Sequence, residues 1–530
     1  MVTDAGREPA ARESVYVVSG DASNEAITSS LRALLRTRHH TIARHRFTML
    51  DTFDARVRRA GARLTRTGTN GVSIIAWQPR DGRAPLTARL TEPVSFAWDL
   101  PDGPLQEALA PVIGVRRLLP QADAEETGSE LDILDDRRKT VARLRIESGH
   151  VRQPMPRSAW QPLPTILTLT GLRGYDEAYE RLKPIIASRP GISSCPDGLE
   201  GVIFRHAGVP NAREKLSLRI DVAPGVPAAA GARGIHRAIL GILIANEPGL
   251  RANIDTEFLH DFRVALRRTR SLLRQLKHVF PSDSVEHFST EFSWLGRLTG
   301  PPRDLDVLVL SLRAQAEDLP AGDVDALIAL LGEAQAHERQ TLIEALDSPR
   351  YQTLLAAWQR FLAQPAAFAS TAPDATRQLA EVVARSAWRL SKRLARSAEA
   401  IDEHSNPAEL HDVRISAKKL RYLIDVTSSF YDADDLECVL TPLKRLQRVL
   451  GDFNDAQFQE TRLLELARTV GAGGPASAAL ALGRLAERSR QRRDRLYPEA
   501  ADQLHQFRVR ATRAACRRAF KQRTREERAR

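Results

Sequence analysis

The chain has 530 residues, 42% of them hydrophobic and 27% charged, which is the make-up of a globular protein with room for more than one domain. Its formal net charge of +12 points to an anionic partner. Three scattered cysteines, Cys195, Cys438 and Cys516, exclude a disulfide framework and a cysteine metal site, and predict a cytoplasmic location. No run approaches 18 apolar residues and MVTDAGREPAARES lacks an apolar core, so neither a membrane partner nor a leader peptide is expected.

In chain order, two textures follow each other. Up to about residue 220, short apolar runs are broken by turns: SVYVVSG, GVSIIAWQP, PVSFAWDLPDG and TVARLRIESGHV read as strands and hairpins. Helices are expected at 24–38 and around 175–188. DVAPGVPAAAGARG, residues 221–234, is rich in Pro, Ala and Gly and reads as a linker. From 235 onward the pattern is long amphipathic helices, ending near 515 in a basic tail over 516–530.

The helical half carries an internal repeat. LHDFRVALRRTRSLL (259–273) aligns with LHDVRISAKKLRYLI (410–424) at an offset of 151 residues. The same offset, without a gap, places GRLTGPPRDLD over QRVLGDFNDAQ. His260, Arg263 and Arg270 meet His411, Arg414 and Arg421, while Arg267 and Arg268 meet Lys418 and Lys419. Two similar helical bundles related by an approximate two-fold axis are therefore expected.

His260, Arg263, Arg267, Arg270, Arg274 and Lys277 step by 3, 4, 3, 4 and 3 residues, which keeps them on one side of a helix. At ~1.5 Å per residue the row is about 25 Å long. The neighbouring row, Phe262, Leu266, Thr269, Leu273, Leu276 and Phe280, is mostly apolar and packs inward. Solvated faces usually interleave acids four residues away, and this row has none. A linear, regularly charged anion matches it, with arginine forks donating paired hydrogen bonds to phosphate and lysines adding point charge.

Each His precedes an Asp, a pair that also occurs in metal phosphohydrolases. A metal centre needs further converging ligands, and His236, His278, His287 and His404 supply no second pair, so no metal or other cofactor is assigned. As donors to phosphate, His260 and His411 would tighten binding at lower pH. Asp304 and Asp455 read as helix N-caps, and Arg303 as a candidate anion contact. Arg233, Arg237, Arg385, Arg389, Lys392 and Arg393 either widen the site or are solvated.

Four motifs in order, LHDFRVALRRTRSLL, GPPRDLDVLVL, LHDVRISAKKLRYLI and LQRVLGDFNDAQ, make residues 235–515 resemble the CHAD, or conserved histidine α-helical, family. The resemblance implies two four-helix bundles around a basic channel and binding of inorganic polyphosphate; recruitment to polyphosphate granules is the expectation that follows from such binding. It carries the basic positions His260, Arg263, Arg267, Arg268, Arg270, His411, Arg414, Lys418, Lys419 and Arg421. Arg274 and Lys277 rest on spacing alone.

Residues 1–220 resemble the CYTH, or triphosphate tunnel, family through FTMLDTFDARVRRAGARLTRTG (47–68) and LTGLRGYDEAYERL (169–182). That resemblance implies a closed antiparallel β-barrel tunnel that holds a triphosphate with Lys and Arg and a divalent metal with glutamates, and whose opening strand carries Glu-x-Glu-x-Lys. Here the stretch is Glu13-Ser-Val15-Tyr-Val17, and valine neither ligates a cation nor contacts phosphate. Glu92 and Glu147 are the candidate remnants, and Arg66, Arg143 and Arg145 could keep anion affinity. The chain is thus read as an α+β multidomain protein, a degenerate barrel followed by an all-α domain, that binds polyphosphate without catalysis. The alternatives are a metal-dependent triphosphatase in the barrel and nucleic-acid binding, the latter disfavoured because only Tyr422 offers a stacking ring near the stripe.

Overall fold

The computed structural model describes residues 13–20, 24–69, 72–80, 83–155, 157–209, 223–315, 321–365, 372–401, 407–471, 476–508 and 510–522. The chain divides into two compact units, Met1–Leu216 and Ser217–Arg530.

In the first unit the strands are β1 (Glu13–Val18), β2 (Thr37–Asp51), β3 (Ala62–Thr69), β4 (Val72–Pro79), β5 (Leu86–Leu90), β6 (Leu119–Leu134), β7 (Thr140–Arg152), β8 (Gln161–Gly171) and β9 (Ile192–Ser194). The helices are α1 (Asn24–Arg32), α2 (Arg56–Arg59), α3 (Pro104–Ile113), α4 (Asp176–Ala187) and α5 (Gly198–His206). The strands pair antiparallel in the order β5-β4-β3-β2-β6-β7-β8-β1-β9. The order is linear, with β5 and β9 as edges, so the expected barrel is met only as an antiparallel sheet that does not close.

Alternation along the strands sorts side chains to two faces. Tyr16 and Val18 pack with Leu131, Leu144, Leu167 and Leu169 under α1 and α4. Val15 points the other way, with Phe47, Met49, Ala124, Val151 and Ile166, under Leu199, Val202, Ile203 and Phe204 of α5. The face that would hold a carboxylate at Val15 is therefore apolar core. Asp51, buried, accepts hydrogen bonds from the backbone N–H of Thr52 and Val57 and so fixes the turn into α2. Two expectations need correction. The helix expected at 24–38 stops at Arg32, and β2 begins at Thr37. PVSFAWDLPDG is no strand: it forms a 3₁₀ turn, Ala97–Asp99, with Asp99 accepting from the N–H of Ser95 and Phe96.

The second unit is helical: α6 (Ala228–Arg251), α7 (Thr256–Gln275), α8 (Ser282–Leu298), α9 (Gly300–Ala314), α10 (Ala321–Asp347), α11 (Pro349–Ala363), α12 (Leu379–Glu399), α13 (Pro407–Thr427), α14 (Ala433–Gly471), α15 (Ala476–Arg508) and α16 (Arg510–Arg517). Residues 228–234, expected as linker, are the first turns of α6. Cys516 and Phe520, expected in the tail, are buried. By length and mean hydropathy α6 could cross a bilayer. Here it packs against α7, α11 and α12 and carries Arg233, Arg237 and Glu247.

The 151-residue offset holds for elements as well as letters. It places α6 over α12, α7 over α13, α8 and α9 over α14, and α10 over α15. Thr299 separates α8 from α9, ahead of Pro301 and Pro302, whereas the second copy has no proline there and runs through Gly451 as one helix.

Candidate anion-binding site in the helical unit

Helix α7 starts at Asp255, whose carboxylate accepts from the N–H of Glu257 (2.9 Å) and Phe258 (3.3 Å). Phe258, Phe262, Ala265, Leu266, Thr269, Leu272 and Leu273 are buried, which fixes the rotation of α7 and sends its cations to the other side. In α13, Leu410, Val413, Ala417, Leu420, Leu423 and Ile424 do the same. The two helices pack on each other. Arg268 lies over the Tyr422 ring at 5.9 Å and 4.0 Å from Asp425.

Arg263, Arg267, Arg268, Arg270, Arg414, Lys418, Lys419 and Arg421 are all half-buried. His260 is half-buried too, whereas Arg274 and His411 are exposed. For Arg263, Arg268, Arg270, Arg414, Lys418 and Lys419, burial is the first cause of lowered proton affinity. Burial, with Arg414 and Arg267 adding repulsion, pulls Lys418 down to about 8. Burial holds Arg414 low, opposed by Asp455 and reinforced by Arg267. Burial lowers Lys419, with Arg393 and Arg274 next, and Arg270, with Arg274 and Arg297 next. Arg263 is likewise lowered by burial, against the pull of Asp304. Arg267 of the first copy thus shares an electrostatic environment with Arg414 and Lys418 of the second.

Among the described residues no carboxylate stands at ion-pair distance from Arg263, Arg267, Arg270, Lys418 or Lys419. Arg263 donates to Thr299 Oγ1 at 3.2 Å. The Nε atoms of Arg267, Arg268, Arg270 and Arg414 are buried without a hydrogen-bond partner. Desolvated donors of this kind carry a penalty that an incoming acceptor relieves.

The acid-free row expected from sequence holds only in part. Arg414 pairs with Asp455 at 3.2 Å and Arg421 with Asp425 at 3.5 Å. Asp304 and Asp455 are not N-caps: both lie inside helices, each opposite the arginine of its own repeat. Sequence alone missed these carboxylates because each lies 41 residues from the arginine it faces, and only Asp455 comes within ion-pair distance. Arg303 donates to the Thr256 carbonyl and lies 3.5 Å from Glu257, so it braces the start of α7. His411 Nδ1 hydrogen-bonds Asn454. Arg233 is buried, donates to the Pro365 carbonyl and sits against Phe280 and Phe361. Arg385 pairs with Asp374.

Comparison with known proteins finds a family match within the helical unit. The family model of the CHAD domain matches residues 234–464. Two uncharacterized proteins of Mycobacterium tuberculosis, strains CDC 1551 and H37Rv, are each 29% identical over 254 residues, 45% of this chain and 47% of theirs. The chain spans about half the length of these curated relatives. Among solved structures, the CHAD domain from the plant Ricinus communis is 26% identical with a TM-score of 0.46, covering 56% of this chain and 97% of that one. PptA from Streptomyces chartreusis is 18% identical with a TM-score of 0.42, covering 53% and 99%. Residues 234–464 of the chain are a CHAD domain.

Proposed function

We propose that the helical unit binds inorganic polyphosphate without converting it, along one basic channel lined by α7 and α13 of two pseudo-symmetric bundles. The observation that carries this reading is the meeting of Arg267 with Arg414 and Lys418, cations from both repeats with no carboxylate at ion-pair distance from Arg267 or Lys418. Phosphate oxygens would satisfy the buried guanidinium donors, and a chain of them would run along the row. Binding of this kind would bring the protein to polyphosphate granules in the cytoplasm. The N-terminal sheet would act as a support, since Val15 belongs to its apolar core.

The test is a titration of full-length protein with long-chain polyphosphate, in competition with duplex DNA at equal phosphate concentration. Polyphosphate should win, and alanine at Arg263, Arg267, Arg414 and Lys418 together should weaken it at least tenfold. Unchanged affinity in that variant would refute the site; preferential DNA binding would refute the ligand.

A further inference from the structure

We propose that Arg270, Ser271 and Arg274 of α7, with Lys419 of α13, form a pocket for the terminal phosphate of a polyphosphate chain, so that the ligand is anchored by its end. The proposal rests on the polyphosphate reading and adds that the two repeats treat the anion differently. The 151-residue offset pairs Arg270 with Arg421, Ser271 with Tyr422, Arg274 with Asp425, and Arg268 with Lys419. Around Asp425 the cations have partners. The Asp425 carboxylate lies 3.5 Å from Nε of Arg421, one turn before it, and 4.0 Å from Arg268 on the facing helix. Arg421 also donates to Gln447 Oε1 at 3.3 Å, and the Tyr422 ring lies under Arg268.

At the equivalent place in the other repeat each of those partners is replaced. Arg274 stands where Asp425 stands, so a cation takes the place of the anion and repels both Arg270 and Lys419. Arg393 of α12 adds to the repulsion on Lys419, and the pull of Asp412 is smaller than either. Gly296 stands where Gln447 stands, and the Arg270 guanidinium fills the room of a side chain: a Cβ at Gly296 would lie 2.7 Å from Arg270 Nη1. Ser271 replaces Tyr422, and its Oγ is buried with no hydrogen-bond partner, as is Nε of Arg270. Among the described residues no carboxylate stands at ion-pair distance from Arg270, Arg274 or Lys419. Two cations with one anion in the first arrangement become three cations in the second.

A chain end suits this pocket better than an internal phosphate. An internal phosphate has one ionised oxygen, whereas a terminal one has a second that ionises near neutral pH and so concentrates more charge. Two arginine forks and one ammonium match that concentrated charge. The buried Arg270 Nε–H and Ser271 hydroxyl, both unpartnered, are donors for its oxygens, and an incoming acceptor removes the penalty of leaving them unmade. From the pocket the chain continues onto Arg267, Arg414 and Lys418, the cations shared by the two repeats. At the symmetry-related place Asp425 repels phosphate, so only one end of a chain is captured.

The experiment titrates full-length protein with short linear polyphosphate in two forms. One has free ends; in the other both terminal phosphates are capped as phosphoramidates of a neutral amine, which removes the second ionisable oxygen and leaves every internal phosphate in place. The wild type should bind the free-ended form at least tenfold more tightly. In Arg274→Asp, which copies the charge pattern around Asp425, that preference should shrink to less than twofold. Should the variant fail to fold, the wild-type comparison still decides. Equal affinity of the wild type for the two forms would overturn end anchoring and leave the polyphosphate reading standing. An undiminished preference in Arg274→Asp would overturn the assignment of the pocket. Absence of binding to either form would overturn this proposal together with the reading it rests on.

Discussion

Lys418 and His236 show how burial without a partner becomes measurable. Lys418 has its proton affinity pulled down to about 8, whereas an unfolded chain returns it to its ordinary 10.5. The unfolded state therefore binds more protons between those values, and stability should rise as pH climbs from about 8 to about 10.5. Lys418→Met should flatten that rise in denaturant unfolding curves. Polyphosphate affinity should move the opposite way, falling as pH passes 8 and the ammonium loses its charge, and Lys418→Arg should remove that dependence between pH 7 and pH 9. His236 is buried against Phe280 and Trp358, with neither ring nitrogen bonded, and burial pulls it down to about 3. Its folded value lies below the ordinary 6.5, so its neutral-state contribution should be lost as pH falls from about 6.5 toward 3. His236→Phe should raise stability by about 1 kcal/mol at pH 5 and weaken the acid sensitivity, read from the unfolding midpoint at pH 5 and pH 7. The cations of the stripe were legible from spacing, because helical period fixes which residues share a side. The carboxylates near them, Asp304 and Asp455, were not, since they come from another helix.

At the level of elements, the repeat was the most informative signal, because one offset aligned letters, helices and the facing cations alike. The strands flanked by turn residues were readable, including β1, β4 and β7, as was α4. The PVSFAWDLPDG segment was not, because its apolar residues serve a 3₁₀ turn in which Phe96 and Trp98 stack. The helix start at α7 has a definable cause in Asp255. Asp255→Ala should cost about 1 kcal/mol in unfolding free energy. It should weaken polyphosphate binding only slightly, since the packing of Phe258 and Phe262 still sets the rotation of α7. A tenfold loss of binding from Asp255→Ala would mean that the first turn, rather than the stripe beyond it, holds the ligand.

For the molecule as a whole, charge patterning matters more than net charge. The proposed site draws on that basic excess only where the two repeats bring half-buried cations together. Binding should weaken steeply with salt, as for any polyanion whose counterions are released, and the slope should shrink when stripe cations are removed. The barrel expectation failed at this scale because closure depends on the edge strands β5 and β9 meeting, which no local pattern encodes. The central claim is that the repeats form one site rather than two. It is tested most directly by titrating short-chain polyphosphate into wild type, into Arg263→Ala/Arg267→Ala and into Arg414→Ala/Lys418→Ala. A single shared site predicts that either pair weakens all binding while stoichiometry per chain stays the same. Halved stoichiometry with unaltered affinity at the remaining sites would show two independent sites and contradict the account.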